Sequence, residues 1–405
     1  MRKALWSWIE SRQRWLLGLL VGAVIFGFSE SVRAQQFALP EPFATRSARA
    51  SARVIGQPRG ADLQRPEGFS VEVFVSGLPG VRKMRSAPNG DLFVAQSRSG
   101  VIKVLRDTNG DGVPDTSSTY IEGLRGVFGM AFQDGYLYLG ATESLVRVPY
   151  TSGDLVARGE PEVLVELPGG GHSTRNIVFN QAGTKIYVAV GSRSNKSDGE
   201  DPIRAAINEY NLDGTGHRIF ASGLRNPVGL TRQPGTDVIW TSVNERDTLG
   251  DDLVPDYVTS VQDGGFYGWP YSYLGSNPDP EHVGKRPDLV QRAIVPDVWI
   301  TAHSAALSVT FYMGDQFPER YRGGAFVGLH GSWNRSDPSG YRVGFIPFQN
   351  GEPSGPIEDF LTGWLSRDGA TTWGRPVDGL VTEDGSLLIS DDGAGKIWRV
   401  RYTGM

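Results

Sequence analysis

The stretch NGDLFVAQSRSGVIKVLR, Asn89 to Arg106, reads as two strands joined by a short polar loop. An Asn-Gly turn opens it, LFVA supplies the first apolar run, QSRSG turns the chain, and VIKVL returns with the β-branched residues that suit a pleated surface. The same order recurs in DGYLYLGATESLVRVPY from Asp134, in GTKIYVAVGSRSN from Gly183, followed by INEYNLDG, and in GTDVIWTSVNERD from Gly235. It returns in RGGAFVGLHGSWN from Arg322, with YRVGFIPF behind it, and in DGSLLISDDGAGKIWRVRY from Asp384. A usual spacing of about 50 residues is the period of a four-stranded propeller blade. The chain is therefore expected to be all-β, a six-bladed β-propeller of four-stranded antiparallel blades over residues 67–405. Residues 263–288 fill the wide gap between the fourth and fifth copies and are expected to be a loop insertion.

Composition agrees with this reading: 53 Gly and 25 Pro among 405 residues supply turns, and 10 Trp with 14 Tyr favour strands over helices. A net charge of -5 and the lack of a Lys/Arg run beyond the N-terminus argue against a nucleic-acid partner. Without cysteine, disulfides, thiolate metal sites and cysteine nucleophiles are excluded. At the N-terminus, Arg2, Lys3, Arg12 and Arg14 precede the apolar run Trp15–Phe28, and Val32-Arg33-Ala34 fits a small-residue cleavage pattern. Residues 1–34 thus read as a signal peptide, with an N-terminal anchor as the alternative. The body is expected to be exported to the periplasm or beyond, or held at the inner membrane. Residues 35–66, rich in Ala, Arg and Ser with little periodicity, read as a flexible lead-in.

Upstream of each copy lies a second recurring element: GLPGVRKMRSAP, GLRGVFGMAF, GGGHSTRNIVF, GLRNPVGLTR, TAHSAALSVTF and WGRPVDGLV. If each starts the innermost strand of its blade, Arg82, His172, Arg225, Asn226, His303 and Arg375 share one rim of the central channel. The loop after the next strand adds Gln96, Ser192 to Asn195, Asn244 to Asp247, His330 to Arg335 and Asp391-Asp392 to that rim. His172 stands behind three glycines, a setting that presents it on a loop, and an imidazole is suited to proton transfer near neutral pH.

The repeat, together with GGGHSTRN, GLRNPVGL, NERDTLGDDLVPD leading to GGFYGWP, HGSWNRSDPSGYRV and GRPVDGLV, resembles the soluble quinoprotein sugar dehydrogenases, and most closely their sorbosone dehydrogenase branch. The likeness runs from about Gly68 to Tyr402. It implies a propeller that holds pyrroloquinoline quinone (PQQ) with Ca²⁺ on one face and oxidises an aldose or a sugar-derived aldehyde such as sorbosone. Electrons would pass to a quinone, cytochrome or dye. Position by position, the resemblance makes His172 the general base and sets Arg225 and Asn226 at the cofactor's reactive carbonyl. It gives the calcium main-chain oxygens from the Asn244–Asp247 loop, with Arg246 and Asp247 as donors. It also makes Arg375 a cofactor-binding cation, puts Arg335 or His330 near the place of a cofactor-binding lysine, and offers Trp333 for stacking.

Other motifs remain open. The acidic Asp251, Asp252 and Asp256 read either as ligands of a neighbouring structural ion or as solvated. His303 either contacts the ligands or packs against Trp299, and His217 and His282 carry no assigned role. In DTNGDGVPD, Asp107, Asn109 and Asp111 sit at the first, third and fifth positions of a calcium loop, with Gly112 sixth and Asp115 ninth. Ser118 stands where an EF-hand has its bidentate Glu, so the alternative is a turn between outer strands. Two other functions compete: a metal-dependent lactonase, which needs Glu, Asn and Asp side chains on a divalent ion near the axis, and a non-catalytic propeller that binds carbohydrate or protein. No G-x-G-x-x-G opens a βαβ unit, which disfavours a nicotinamide enzyme.

Overall fold

The structure, a computed structural model, describes residues 38–404. Residues 1–34, expected to be a signal peptide or anchor, lie outside the described residues, and among the described residues no helix is long and apolar enough to cross a membrane. Six antiparallel sheets surround one axis. Blade 1 is Val81–Ser86, Leu92–Gln96, Val101–Arg106 and Thr116–Ile121, and blade 2 is Gly129–Gln133, Tyr136–Ala141, Ser144–Pro149 and Glu162–Glu166. Blade 3 is Ile177–Phe179, Lys185–Val190, Ala206–Asn211 and Arg218–Ser222, and blade 4 is Pro227–Arg232, Ile239–Val243, Asp256–Val261 and Val298–Ile300. Blade 5 is Thr310–Phe311, Ala325–Leu329, Arg342–Ile346 and Glu358–Leu361. Blade 6 takes Pro376–Val381, Leu387–Asp391 and Lys396–Tyr402 from the C-terminus and its outer strand, Phe69–Ser76, from the N-terminal side.

That last pairing, antiparallel from Phe69 opposite Tyr402 to Ser76 opposite Lys396, closes the ring. Nearer the axis, Lys83 Nζ donates to Asp378 Oδ1 at 2.9 Å and the Met84 amide to Asp378 Oδ2 at 3.0 Å, joining blade 1 to blade 6 in the interior. Second strands such as LFVAQ and IWTSV are buried along their whole length, because neighbouring blades cover both of their faces. Apolar clusters fill the six spaces between blades, for example Phe93, Tyr120 and Leu139 between blades 1 and 2, and Tyr312, Phe345 and Trp398 between blades 5 and 6. A separate quartet, Phe128, Val228, Leu307 and Val377, draws one residue from each of four blades. Val228 and Leu307 give the cavity described below an apolar part of its wall.

Two regions depart from the expectations. Residues 38–66 are not a flexible lead-in. Arg53–Val54 pairs in parallel with Thr371–Thr372, Gln64 bridges Thr362, and Leu63 is buried among the aromatic side chains of blades 5 and 6. Tertiary contacts order a segment that has no periodicity of its own. The insertion is structured too: Gly265–Phe266 adds a parallel strand to blade 3, Ser272–Tyr273 and Asn277–Pro278 pair, and a short helix spans Pro287–Gln291.

Candidate active site

A cavity of about 680 Å³ opens on the rim face, lined by His172, Arg225, Asn226, Asp247, His303, His330, Trp333 and Arg375 among others. The turns ahead of the inner strands bring these residues together. In the first, Gly170 and Gly171 have φ of 77° and 64°, and a Cβ on Gly171 would lie 2.4 Å from the Arg193 Cα. The glycine run is thus required by a left-handed turn packed against the neighbouring loop. The His172 amide and Nδ1 both reach the Ser192 carbonyl, at 3.0 and 2.9 Å. A carbonyl only accepts, so Nδ1 carries the proton and Nε2 keeps its lone pair. Ser192 Oγ, which donates to Ser194 O at 2.6 Å, accepts from the same Nδ1 at 3.1 Å. Burial first, and the Arg225 guanidinium second, push the His172 imidazole down to about 4, so it is neutral at physiological pH.

Backbone hydrogen bonds carry this arrangement around the rim. Ser192 N donates to Arg225 O at 2.8 Å, and Asn244 N to Asn226 O at 3.0 Å. The Arg225 side chain makes four bonds: to Asn195 O, Asn195 Oδ1, Asn244 O and Asp247 Oδ2. One of its five N–H groups is left over, on Nη1. Asp247 also faces His303 Nδ1 at 3.4 Å, while His303 Nε2 donates to Gly250 O at 3.0 Å. Despite burial, Asp247 raises the His303 imidazole, and His303 with Arg225 holds Asp247 below the usual carboxylate range. On the far side, His330 Nε2 donates to Asp392 Oδ1 at 2.7 Å and Arg82 Nη1 to Asp392 Oδ2 at 2.9 Å. Asp392 is held down to about 2 against the upward push of burial, by His330 and then Arg82. Arg375 binds the carbonyls of His330 and Gly331 and lies over the Tyr341 ring.

The charge balance is uneven. Arg49, Arg82, Arg193, Arg225 and Arg375 border the cavity. Arg82 and Arg225 are neutralised by Asp392 and Asp247. Arg49, Arg193 and Arg375 have no carboxylate in ion-pair contact among the described residues. Two of the lining residues also carry an unsatisfied buried acceptor: Asn226 Oδ1 and Glu245 Oε1 have no donor among the described residues. Burial raises Glu245 to about 7 and Asp256 to about 6.

One site expectation needs correction, that for Arg335, and the other residues singled out in the sequence take the following places. Arg335 does not line this cavity: its Nη1 is held at 2.6 Å by both Asp251 O and Asp252 Oδ1. The Arg246 side chain turns outward to Asp279 at 2.6 Å and Glu281 at 3.0 Å in the insertion. Of the carbonyls expected to hold calcium, that of Arg246 accepts from Val254 N at 3.3 Å and that of Asp247 from Asn195 Nδ2 at 3.0 Å, which leaves each a second lone pair. Asp256 is not solvated but buried, accepting from Glu245 N and Ala305 N. In the candidate calcium loop, Asp107 caps the amides of Asn109, Gly110 and Gly112. There Asn109 and Asp111 accept from the amides two residues on, and Asp115 binds Thr108. These bonds describe a capped turn and leave the two readings of the loop as the sequence gives them; among the described residues no group of three or more His, Cys, Asp or Glu is placed to hold a metal ion. His217 meets Asn208 and stacks on Tyr210, and His282 meets the Lys196 carbonyl, away from the cavity. The sequence reading missed Arg49, whose segment carries no repeat signal.

This architecture is shared with known proteins. The pyrroloquinoline quinone-dependent pyranose dehydrogenase of Coprinopsis cinerea is 23% identical over 409 residues, covering 85% of this chain; the chain spans 55% of that relative's length. The holo form of its PQQ domain superposes with a TM-score of 0.72 at 21% identity, covering 86% of this chain and 100% of the domain. The calcium structure of the Trichoderma reesei family AA12 carbohydrate-active enzyme gives 0.73 at 19% identity, covering 87% and 99%. A family model described as TrAA12-like matches residues 63–262 and 288–403, both sides of the insertion and all six blades. The propeller with its histidine- and arginine-lined rim is therefore that of a member of the TrAA12-like family.

Proposed function

We propose that the chain is an exported, PQQ- and Ca²⁺-dependent dehydrogenase that oxidises an aldose or sugar-derived aldehyde, sorbosone among them, with His172 as the base. The observation that carries this reading is the cavity's donor set: three guanidiniums without carboxylate partners beside a neutral imidazole. PQQ bears three carboxylates, and fixed cations are the partners such a ligand needs. Gly191 supports the fit, since a Cβ there would lie 2.4 Å from Asn226 Oδ1 and 2.7 Å from His172 Cβ, closing the cradle between them.

Arg375, Arg193, Asn226 and Trp333 would hold the cofactor, which when bound supplies the two-electron acceptor for the hydrogen on the sugar carbon. The cation would rest on carbonyls of the Asn244–Asp247 loop, Arg246 and Asp247 included. The unsatisfied Glu245 oxygen is the local sign that this loop suits a cation. His172 Nε2 takes the proton of the substrate hydroxyl, and its Nδ1 bond to Ser192 fixes the ring for that transfer. Arg225, held by four bonds, presents its remaining N–H toward developing negative charge without reorganising. Val228 and Leu307 keep part of the wall dry. A lactonase would need acidic side chains converging on an ion, and no such group is found among the described residues.

The test is to add PQQ and Ca²⁺ to the purified protein and follow dye reduction with aldoses, sorbosone and simple aldehydes, against a cofactor-free control. PQQ-dependent turnover of a sugar or sugar aldehyde is expected. Equal rates without PQQ would overturn the reading.

A further inference from the structure

Residues 38–55 cross the rim face as a strap, and the attachments flank one side chain. Phe43 N donates to Leu249 O at 2.7 Å and Thr45 Oγ1 accepts from Asp251 N at 2.7 Å, fixing the strap to the loop after Asp247. Ala48 O accepts from Asn334 Nδ2 at 2.6 Å, Ala50 N donates to Trp333 O at 2.9 Å, and Ala52 N reaches Tyr341 Oη at 3.2 Å. The backbone is thus tied on both sides of Arg49. Arg49 borders the cavity, is exposed, and has no carboxylate in ion-pair contact among the described residues. With Arg193 and Arg375 it gathers like charge at one opening, which repels unless an anion occupies the space.

We propose that Arg49 is a ligand-binding residue that the strap delivers to the cavity mouth to recognise a carboxylate. This rests on the proposed function in one respect: the carboxylate is either one of PQQ's or that of an acidic sugar, a uronate, as substrate. A guanidinium held by its backbone can pair with either through two parallel N–H bonds. The strap thereby makes the N-terminal segment part of the site.

The experiment compares wild type, Arg49→Ala and Arg49→Lys by PQQ titration followed by absorbance, and by calorimetric binding of galacturonate and galactose. Because the Arg49 side chain makes no hydrogen bond or ion pair with another described residue, thermal melting should be unchanged in both variants. If the carboxylate is the cofactor's, Arg49→Ala weakens PQQ binding about tenfold or more, with partial rescue by Lys. If it is the substrate's, galacturonate binding weakens about tenfold or more while galactose and PQQ are unaffected. Unchanged affinity for all three overturns the assignment. Should wild type bind no PQQ, the proposed function fails, and Arg49 is judged on galacturonate alone. Should it bind neither PQQ nor galacturonate, both fall.

Discussion

Replacing His172 by Gln separates proton transfer from the rest of the site. The structure fixes the expected size of the effect in two ways. A positioned general base is worth about 10²- to 10⁴-fold, or about 3–5 kcal/mol of activation free energy, so kcat should fall by that factor while PQQ affinity stays within about threefold. The pH dependence is more specific. With its imidazole pushed down to about 4, His172 is about 90% neutral at pH 5, whereas an imidazole at its ordinary value near 6.5 would be only about 3% neutral there. Wild-type kcat/KM, measured by dye reduction at saturating acceptor, should therefore stay nearly flat from pH 7 to 5 and fall only toward pH 4. The linkage sign gives a second readout. A histidine whose folded value is depressed binds its proton more readily when unfolded, so it destabilises the fold progressively as pH drops from about 6.5 to about 4. The Gln variant should gain stability relative to wild type across that window in urea melts. An acid limb centred near 6.5, or a variant retaining kcat within tenfold, would refute the base assignment.

Gly191→Ala should weaken PQQ binding about tenfold or more, since its new methyl collides with Asn226 Oδ1 and His172 Cβ; spectrophotometric titration reads this. Lys83→Met leaves Asp378 buried without its partner and should cost about 3–5 kcal/mol in denaturant unfolding, and the double substitution Lys83→Met with Asp378→Leu should recover part of it. Arg335→Ala removes a half-exposed pair with Asp252 and should change stability by less than about 1 kcal/mol; PQQ affinity should not move, as Arg335 lies outside the cavity lining.

The six repeats were legible because each blade obeys the same local grammar: a Gly turn, a buried strand, a polar loop on the rim. That grammar also grouped His172, Arg225, Asn226, His303, His330 and Arg375, which the cavity brings together. Less legible was anything decided by contacts between distant segments. Arg49 lies in a stretch whose order depends on Leu249, Asn334 and Tyr341, and no periodicity within residues 35–66 announces those partners. Arg335 was misplaced for a related reason. The HGSWNRSD loop follows a repeat signal to Asn334, and beyond it the side chain is captured by Asp251 and Asp252 from a loop elsewhere in the chain. The burial of Asp256, left open between an ion ligand and a solvated acid, was not legible because charge alone does not reveal that Glu245 and Ala305 donate their amides to it inside the fold.

The most direct measurement for the central claim is an equilibrium titration of the purified, cofactor-free protein with PQQ in the presence of Ca²⁺, followed by desalting. The account expects saturable binding of one PQQ per chain, retained on the column and lost when calcium is chelated. PQQ that elutes free of the protein at every concentration would contradict it.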